Sequence, residues 1–309
     1  EMCEEMDVEI SDETQEYLDA LENGSVEMTS DNMGFPDVKV FHVDLMNVDE
    51  TYDFFSSYKK NANAVNKGRL RGKQLSKKLQ VRNDRNVRTK MRQRRGTLDN
   101  NRLADVSHSD RFFKQYEVDE YGETWFYVSV DGSGSMNYDS KWEEALSTLT
   151  SLIVAFQHID NVNLDVNIRY THNNHPLIMS VYRNGQNVHR RIEKLKFLTA
   201  AGTTPEALCY DSQLDHIIDT ANSVEDAYFL NFSDGEPFFH SDEVYYSGDV
   251  AVDHTRKLMN KFSRIGINIL SYFIGEGSSE FNQMYGTDAQ EIDVEDVFQL
   301  STSINKKLV

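Results

Sequence analysis

Hydrophobic positions along the chain fall into two regimes. Beyond residue 120, continuous apolar runs alternate with stretches whose apolar residues return every three or four positions. That is the pattern of strands buried on both faces, separated by amphipathic helices. Thr124–Val130 (TWFYVSV) reads as a fully buried strand. Ser140 to Phe156 reads as a helix, because Trp142, Ala145, Leu146, Leu149, Leu152, Ile153 and Phe156 share one stripe. Ser140-x-x-Glu143 offers it a capping box. Leu164–Tyr170 and Leu177–Tyr182 are further strand candidates, with a turn at Asn174–Pro176. Pro205–Thr220 is predicted helical, Ala227–Phe232 a strand, Val250–Ile265 a helix and Asn268–Ile274 a strand. Ile292–Val294 and Val297–Leu308 would close the sheet with a last strand and helix. This alternation predicts an α/β domain with a mainly parallel sheet.

Upstream the pattern is poorer. Met6, Val8, Ile10, Tyr17, Leu18 and Leu21 support one short amphipathic helix among many acids. Val38, Val40, Phe41, Val43 and Leu45 suit a strand or a docking peptide. Tyr58 to Arg95 lacks proline and reads as a long exposed helix.

Charge sharpens the division. The 309 residues carry 51 acids and 32 bases, a net charge of -19, unevenly spread. Residues 1–57 hold 17 acids and a single base, Lys39, whereas 58–95 hold 15 bases and a single acid, Asp84. Three segments are therefore expected: an acidic arm (1–57), a basic, mainly helical segment with linker (58–119), and an α/β domain (120–309). Two cysteines, Cys3 and Cys209, exclude a disulfide scaffold. No apolar run approaches the length of a membrane span. The expectation is a cytoplasmic protein without a membrane contact. The basic segment invites a nucleic-acid reading, but no aromatic residue interleaves its bases to stack on. An acidic protein, or the chain's own acidic arm, is the better partner for it.

The residues with chemistry to offer lie in three loops, the first and third just past predicted strands and the second entering a predicted helix. They are Asp131-Gly132-Ser133-Gly134-Ser135-Met136, Ala201-Gly202-Thr203-Thr204-Pro205-Glu206 and Ser233-Asp234-Gly235-Glu236-Pro237. Asp131, Ser133, Ser135, Thr203 and Asp234 together form an all-oxygen set suited to Mg²⁺, with Mn²⁺ or Ca²⁺ as alternatives. Thr204 is assigned as the cap before Pro205, which leaves Thr203 as the ligand. Two carboxylates neutralise a divalent ion without enclosing it, so a position stays open to an incoming carboxylate from an acidic protein ligand. There is no H-E-x-x-H, no G-x-S-x-G and no Ser/His/Asp order, and His172 and His175 fall in a turn. No catalysis is expected from this chain alone.

D-G-S-G-S, G-T-T-P-E and S-D-G-E-P, in that order, resemble the metal-ion-dependent adhesion site of a von Willebrand factor A (vWA) domain. The resemblance covers roughly residues 120–309. It implies a Rossmann-like domain, with a central, mostly parallel sheet flanked by helices and a metal at its top edge. Arg94-Arg95-Gly96-Thr97-Leu98-Asp99, Arg102-Leu103-Ala104 and Phe112-Phe113-Lys114, leading into DGSGSM, are similar to the cobaltochelatase CobT family. That likeness implies a ring-forming AAA+ ATPase partner of MoxR or chelatase type. No Walker A sequence is present, so such an ATPase would act in trans. The leading expectation is an Mg²⁺-dependent adaptor. The alternatives are a CobT-like chelatase subunit in metal insertion into a tetrapyrrole, and a structural component of a larger assembly. The hairpin Leu177–Gly185 and the insert Phe238–Gly248 match no feature of that family.

Overall fold

A computed structural model describes residues 25–29, 38–83, 86–98, 111, 113–119, 122–157, 159, 161–241, 244–274, 279–286 and 289–291. The expected helix near Met6–Leu21 and the closing elements at Ile292–Val294 and Val297–Leu308 lie outside those residues. So do Asp99, Arg102, Leu103 and Phe112 of the CobT-like stretch.

The core is an eight-stranded sheet built from β1 (Ser25–Thr29), β2 (Lys39–Asp44), β6 (Thr124–Asp131), β7 (Val162–His172), β8 (His175–Tyr182), β9 (Asp226–Ser233), β12 (Asn268–Phe273) and β13 (Ala289–Glu291). Its order is β1-β2-β8-β7-β6-β9-β12-β13, parallel except at β1/β2 and β7/β8. The expected α/β class is what is found. All eight residues of β6 are buried, as a central strand covered on both faces requires. Its even positions Phe126, Val128 and Val130 enter one core cluster, while Trp125 and Tyr127 enter the other. Asp131 therefore ends the strand on the side of Tyr127 and Ser129.

Helices cover both faces: α1 (Ala62–Asn83), α2 (Lys141–Phe156), α3 (Val188–Leu195), α4 (Glu206–Ser212), α5 (Leu214–Asn222), α6 (Gly248–Arg264) and α7 (Ser279–Tyr285). Three expectations need correction. First, the basic segment is not one exposed helix. α1 ends at Asn83 and the chain enters β3 (Asn86–Gln93), which pairs with β5 (Phe113–Asp119) beside β4 (Thr97–Leu98). The spacing of Val87, Thr89 and Met91 is the strand period, overlooked among the bases. α1 itself lies against α2, with Gly68 and Gly72 at the contact and Val65 and Leu75 buried. Second, Pro205–Thr220 is two helices. Gln213 between α4 and α5 is buried and accepts the Tyr127 hydroxyl.

Third, the β7–β8 turn is Asn173-Asn174, both left-handed (φ 48° and 60°), and Pro176 sits inside β8 opposite Thr171. A two-residue turn with both centres left-handed matches the twist of the paired strands. Of the two readings of Val38–Leu45 the strand is found: β2 is built into the sheet, parallel to β8. The insert after β9 forms a small hairpin of β10 (Phe239–His240) and β11 (Tyr245–Tyr246), which buries Phe239 and Tyr246. No helix among the described residues is long and apolar enough to cross a membrane.

Candidate metal centre

β6 and β9 are neighbours whose onward connections lead to opposite sides of the sheet, to β7 and to β12. The crevice at the carboxyl ends of such a strand pair is the place where open α/β sheets bind ligands. Asp131 ends β6 and Asp234 follows β9, so both carboxylates stand at that point. The first loop is tied to the second by main-chain bonds. Gly134 N donates to Gly202 O (3.0 Å) and Ala201 N to Gly132 O (2.7 Å). Gly132 is obligatory there, because a Cβ would lie 2.4 Å from the Tyr170 ring and 2.8 Å from Arg169 O.

The side chains form one connected cluster. Asp131 is fully buried; its Oδ1 accepts Ser133 N (2.9 Å) and its Oδ2 accepts the Thr204 (3.3 Å) and Ser233 (3.1 Å) hydroxyls. Ser133 Oγ lies 2.9 Å from Ser135 Oγ, which donates to Asp234 Oδ1 at 2.7 Å. The other oxygen of Asp234 accepts Lys141 Nζ (2.9 Å). Burial pushes the Asp131 carboxyl above its ordinary range; the Arg169 guanidinium opposes that rise, and Asp234 adds to it.

Four of the five residues singled out from sequence, Asp131, Ser133, Ser135 and Asp234, thus meet at one place. Thr203 does not join them: its hydroxyl pairs with Thr171 Oγ1 at 2.7 Å, and the hydroxyl on Asp131 is that of Thr204. Thr204 exchanges both main-chain bonds with Phe238 (2.9 Å each), so the backbone is extended there and adjacent side chains diverge. The residue before α4 is Pro205, with no side-chain cap, so Thr204 is not spent on capping. Sequence reasoning also missed Ser233 and Lys141. Ser233 had a usable signal, since it is the hydroxyl beside Asp234; Lys141 had none.

The loop into α2 departs from expectation as well. Ser140 makes no side-chain cap bond, and Asp139 and Ser140 are consecutive left-handed residues (φ 53° and 57°). A left-handed non-glycine residue costs about 1–2 kcal/mol. Ser140→Gly is therefore predicted to leave urea stability unchanged or raise it by up to about 1 kcal/mol. A capping serine would instead lose about 1 kcal/mol on that change, and such a loss in the denaturation midpoint would restore the capping box.

Hydroxyl and carboxylate oxygens from three loops fit a hard, oxygen-preferring cation. Among the described residues no three His, Cys, Asp or Glu side chains gather as a metal group. A site here leans on the hydroxyls of Ser133, Ser135 and Thr204 beside the two aspartates.

No protein-family model matches the chain, and no curated protein matches it. Among solved structures, the pilus adhesin SpaC from Lactobacillus rhamnosus GG is similar at 11% identity and a TM-score of 0.44. That match covers 61% of this chain and 30% of SpaC, so the chain spans about a third of the adhesin's length. The vWF domain of the type V pili tip protein Mfa5 from Porphyromonas gingivalis is similar at 9% identity, covering 61% of this chain and 97% of that domain, with a TM-score of 0.45. The SpRpn10 VWA domain is similar at 13% identity, covering 58% and 95%, with a TM-score of 0.40. Such values pass nothing about ligands or partners to this chain. Its own strand order, with helices on both faces and the motif loops at the carboxyl end of the central strand pair, gives it an α/β fold with a central, mostly parallel sheet.

Proposed function

We propose that this chain is a protein-interaction module whose contact runs through a divalent cation, Mg²⁺ first, with Mn²⁺ and Ca²⁺ as alternatives. One observation carries the reading: Asp131, Ser133, Ser135, Thr204 and Asp234, from three separate loops, join in a single cluster at the sheet's switch point. The cation would supply an electrophilic contact for a partner's carboxylate. The chain's residues hold the ion's position, and their two negative charges leave no excess to repel an acidic ligand. The partner class proposed is a ring-forming AAA+ ATPase of MoxR or chelatase type. The CobT-like stretch from Arg94 to Lys114 and the absence of a Walker A sequence support that choice.

The test pairs calorimetric titration of Mg²⁺ with pull-downs from the native host in Mg²⁺ or EDTA. Asp131→Ala is predicted to abolish measurable Mg²⁺ binding and partner capture while leaving a cooperative unfolding transition. A partner retained both in EDTA and by the variant would overturn the proposal.

A further inference from the structure

We propose that Lys141 is a built-in counter-ion of the metal centre. Its ammonium neutralises Asp234 in the ion-free protein and gives up that carboxylate when a divalent cation binds, so Lys141 sets the concentration at which the site fills. The inference rests on the cation reading above and goes beyond it by naming the residue that limits occupancy.

Geometry is the first support. Lys141 Nζ stands 2.9 Å from Asp234 Oδ2, on a carboxylate whose side chain is wholly buried. Ser135 already fills Oδ1, so both oxygens of Asp234 are engaged from within the chain. A cation brought to that carboxylate meets a like charge where little water screens it.

The position of Lys141 is the second support, and it is independent. Lys141 is the first residue of α2, the end of a helix that favours anions and disfavours ammonium groups. It is delivered there by Asp139 and Ser140, both in the costly left-handed conformation. The helix end disfavours a lysine at this spot, and the bond to Asp234 works against that cost. The same helical turn carries Glu144, which accepts both Lys67 and Arg71 of α1. The first turn of α2 is thus held on one side by Asp234 and on the other by α1. Release of Lys141 would loosen the first of these two holds.

The experiment titrates Mg²⁺ calorimetrically into the full chain and into the Lys141→Met, Lys141→Arg and Asp131→Ala variants. Hydrogen exchange over residues 139–147 is followed in parallel. Removing the ammonium is expected to tighten Mg²⁺ binding by about tenfold or more, while Lys141→Arg stays near the parent chain. Mg²⁺ should speed exchange over 139–147 in the parent chain and leave Lys141→Met, already released, unchanged. Where Lys141→Met does not unfold cooperatively, Lys141→Gln takes its place. Equal Mg²⁺ affinities for the parent chain and the Met and Gln variants would overturn this inference and leave the cation site standing. Absence of Mg²⁺ binding in every variant would overturn the cation reading itself, and this inference with it.

Discussion

Gly68→Val is expected to destabilise the protein by about 2–4 kcal/mol, the scale of a severe overpacking change. Helix propensity alone predicts the opposite, since glycine is the poorest non-proline residue inside a helix. Packing decides the sign. A Cβ on Gly68 would lie 2.4 Å from Ser147 O and 2.7 Å from Thr150 Cβ; on Gly72 it would lie 2.7 Å from Ser151 O and from Val154 Cβ. The first obstacle at each position is main chain of α2, which cannot rotate away. The close approach also brings Ser151 Oγ within 3.0 Å of Gly68 O and lets Lys67 and Arg71 reach Glu144. Forcing the helices apart loses these bonds along with part of the burial of Val65 and Leu75. Urea denaturation gives the magnitude, and limited proteolysis shows whether α1 becomes the first site of cleavage. A Gly68→Val variant as stable as its parent would return α1 to the exposed helix that its charges suggested.

That helix shows where the sequence was legible and where it was not. Signals confined to one element were readable: the uncharged run of β6, the stripe of α2 and the motif loops at the strand ends. Four of five site residues followed from them, because Asp131, Ser133, Ser135 and Asp234 lie in short motifs whose geometry is local. Signals divided between elements were not readable. Gly68 and Gly72 mean little until Ser147 and Ser151 are known to face them. Lys67, Arg69 and Arg71 look like a free basic face until Glu144 and Glu193 are seen to engage them. The split between Thr203 and Thr204 was likewise undecidable within its loop, because Phe238, more than thirty residues on, fixes which hydroxyl faces Asp131. Ser140 failed for a different reason. Its S-x-x-E pattern is sound capping chemistry, but the chain adopts a left-handed turn there that brings Lys141 to Asp234.

The second large effect is expected beneath the site. Arg169→Met should cost about 3–5 kcal/mol, as removal of one partner from a buried ion pair does. Arg169 is 1% exposed and Glu206 is fully buried, with Arg169 Nη2 3.8 Å from Glu206 Oε1. The guanidinium donates to Ser129 and, at 3.0 Å, to Asn231 Oδ1, and it lies 5.0 Å from the centre of the Tyr210 ring. Glu206 Oε1 in turn accepts Tyr285 and Asn231. Burial pushes the Glu206 carboxyl upward, and Arg169 is the main influence against it; the same guanidinium opposes the upward shift at Asp131. Without Arg169, the acids Asp131, Asp234 and Glu206 would share the interior with, among the described residues, only Lys141 at the edge bonded to one of them. Glu206→Gln alone keeps the hydrogen-bonding shape and should cost less. Adding it to Arg169→Met should cost clearly less than the sum of the two changes, since it removes the charge that the first leaves unpaired. A double-mutant cycle in urea measures that difference. Strict additivity would mean that the two residues act separately, and that Arg169 serves only the bonds to Ser129 and Asn231.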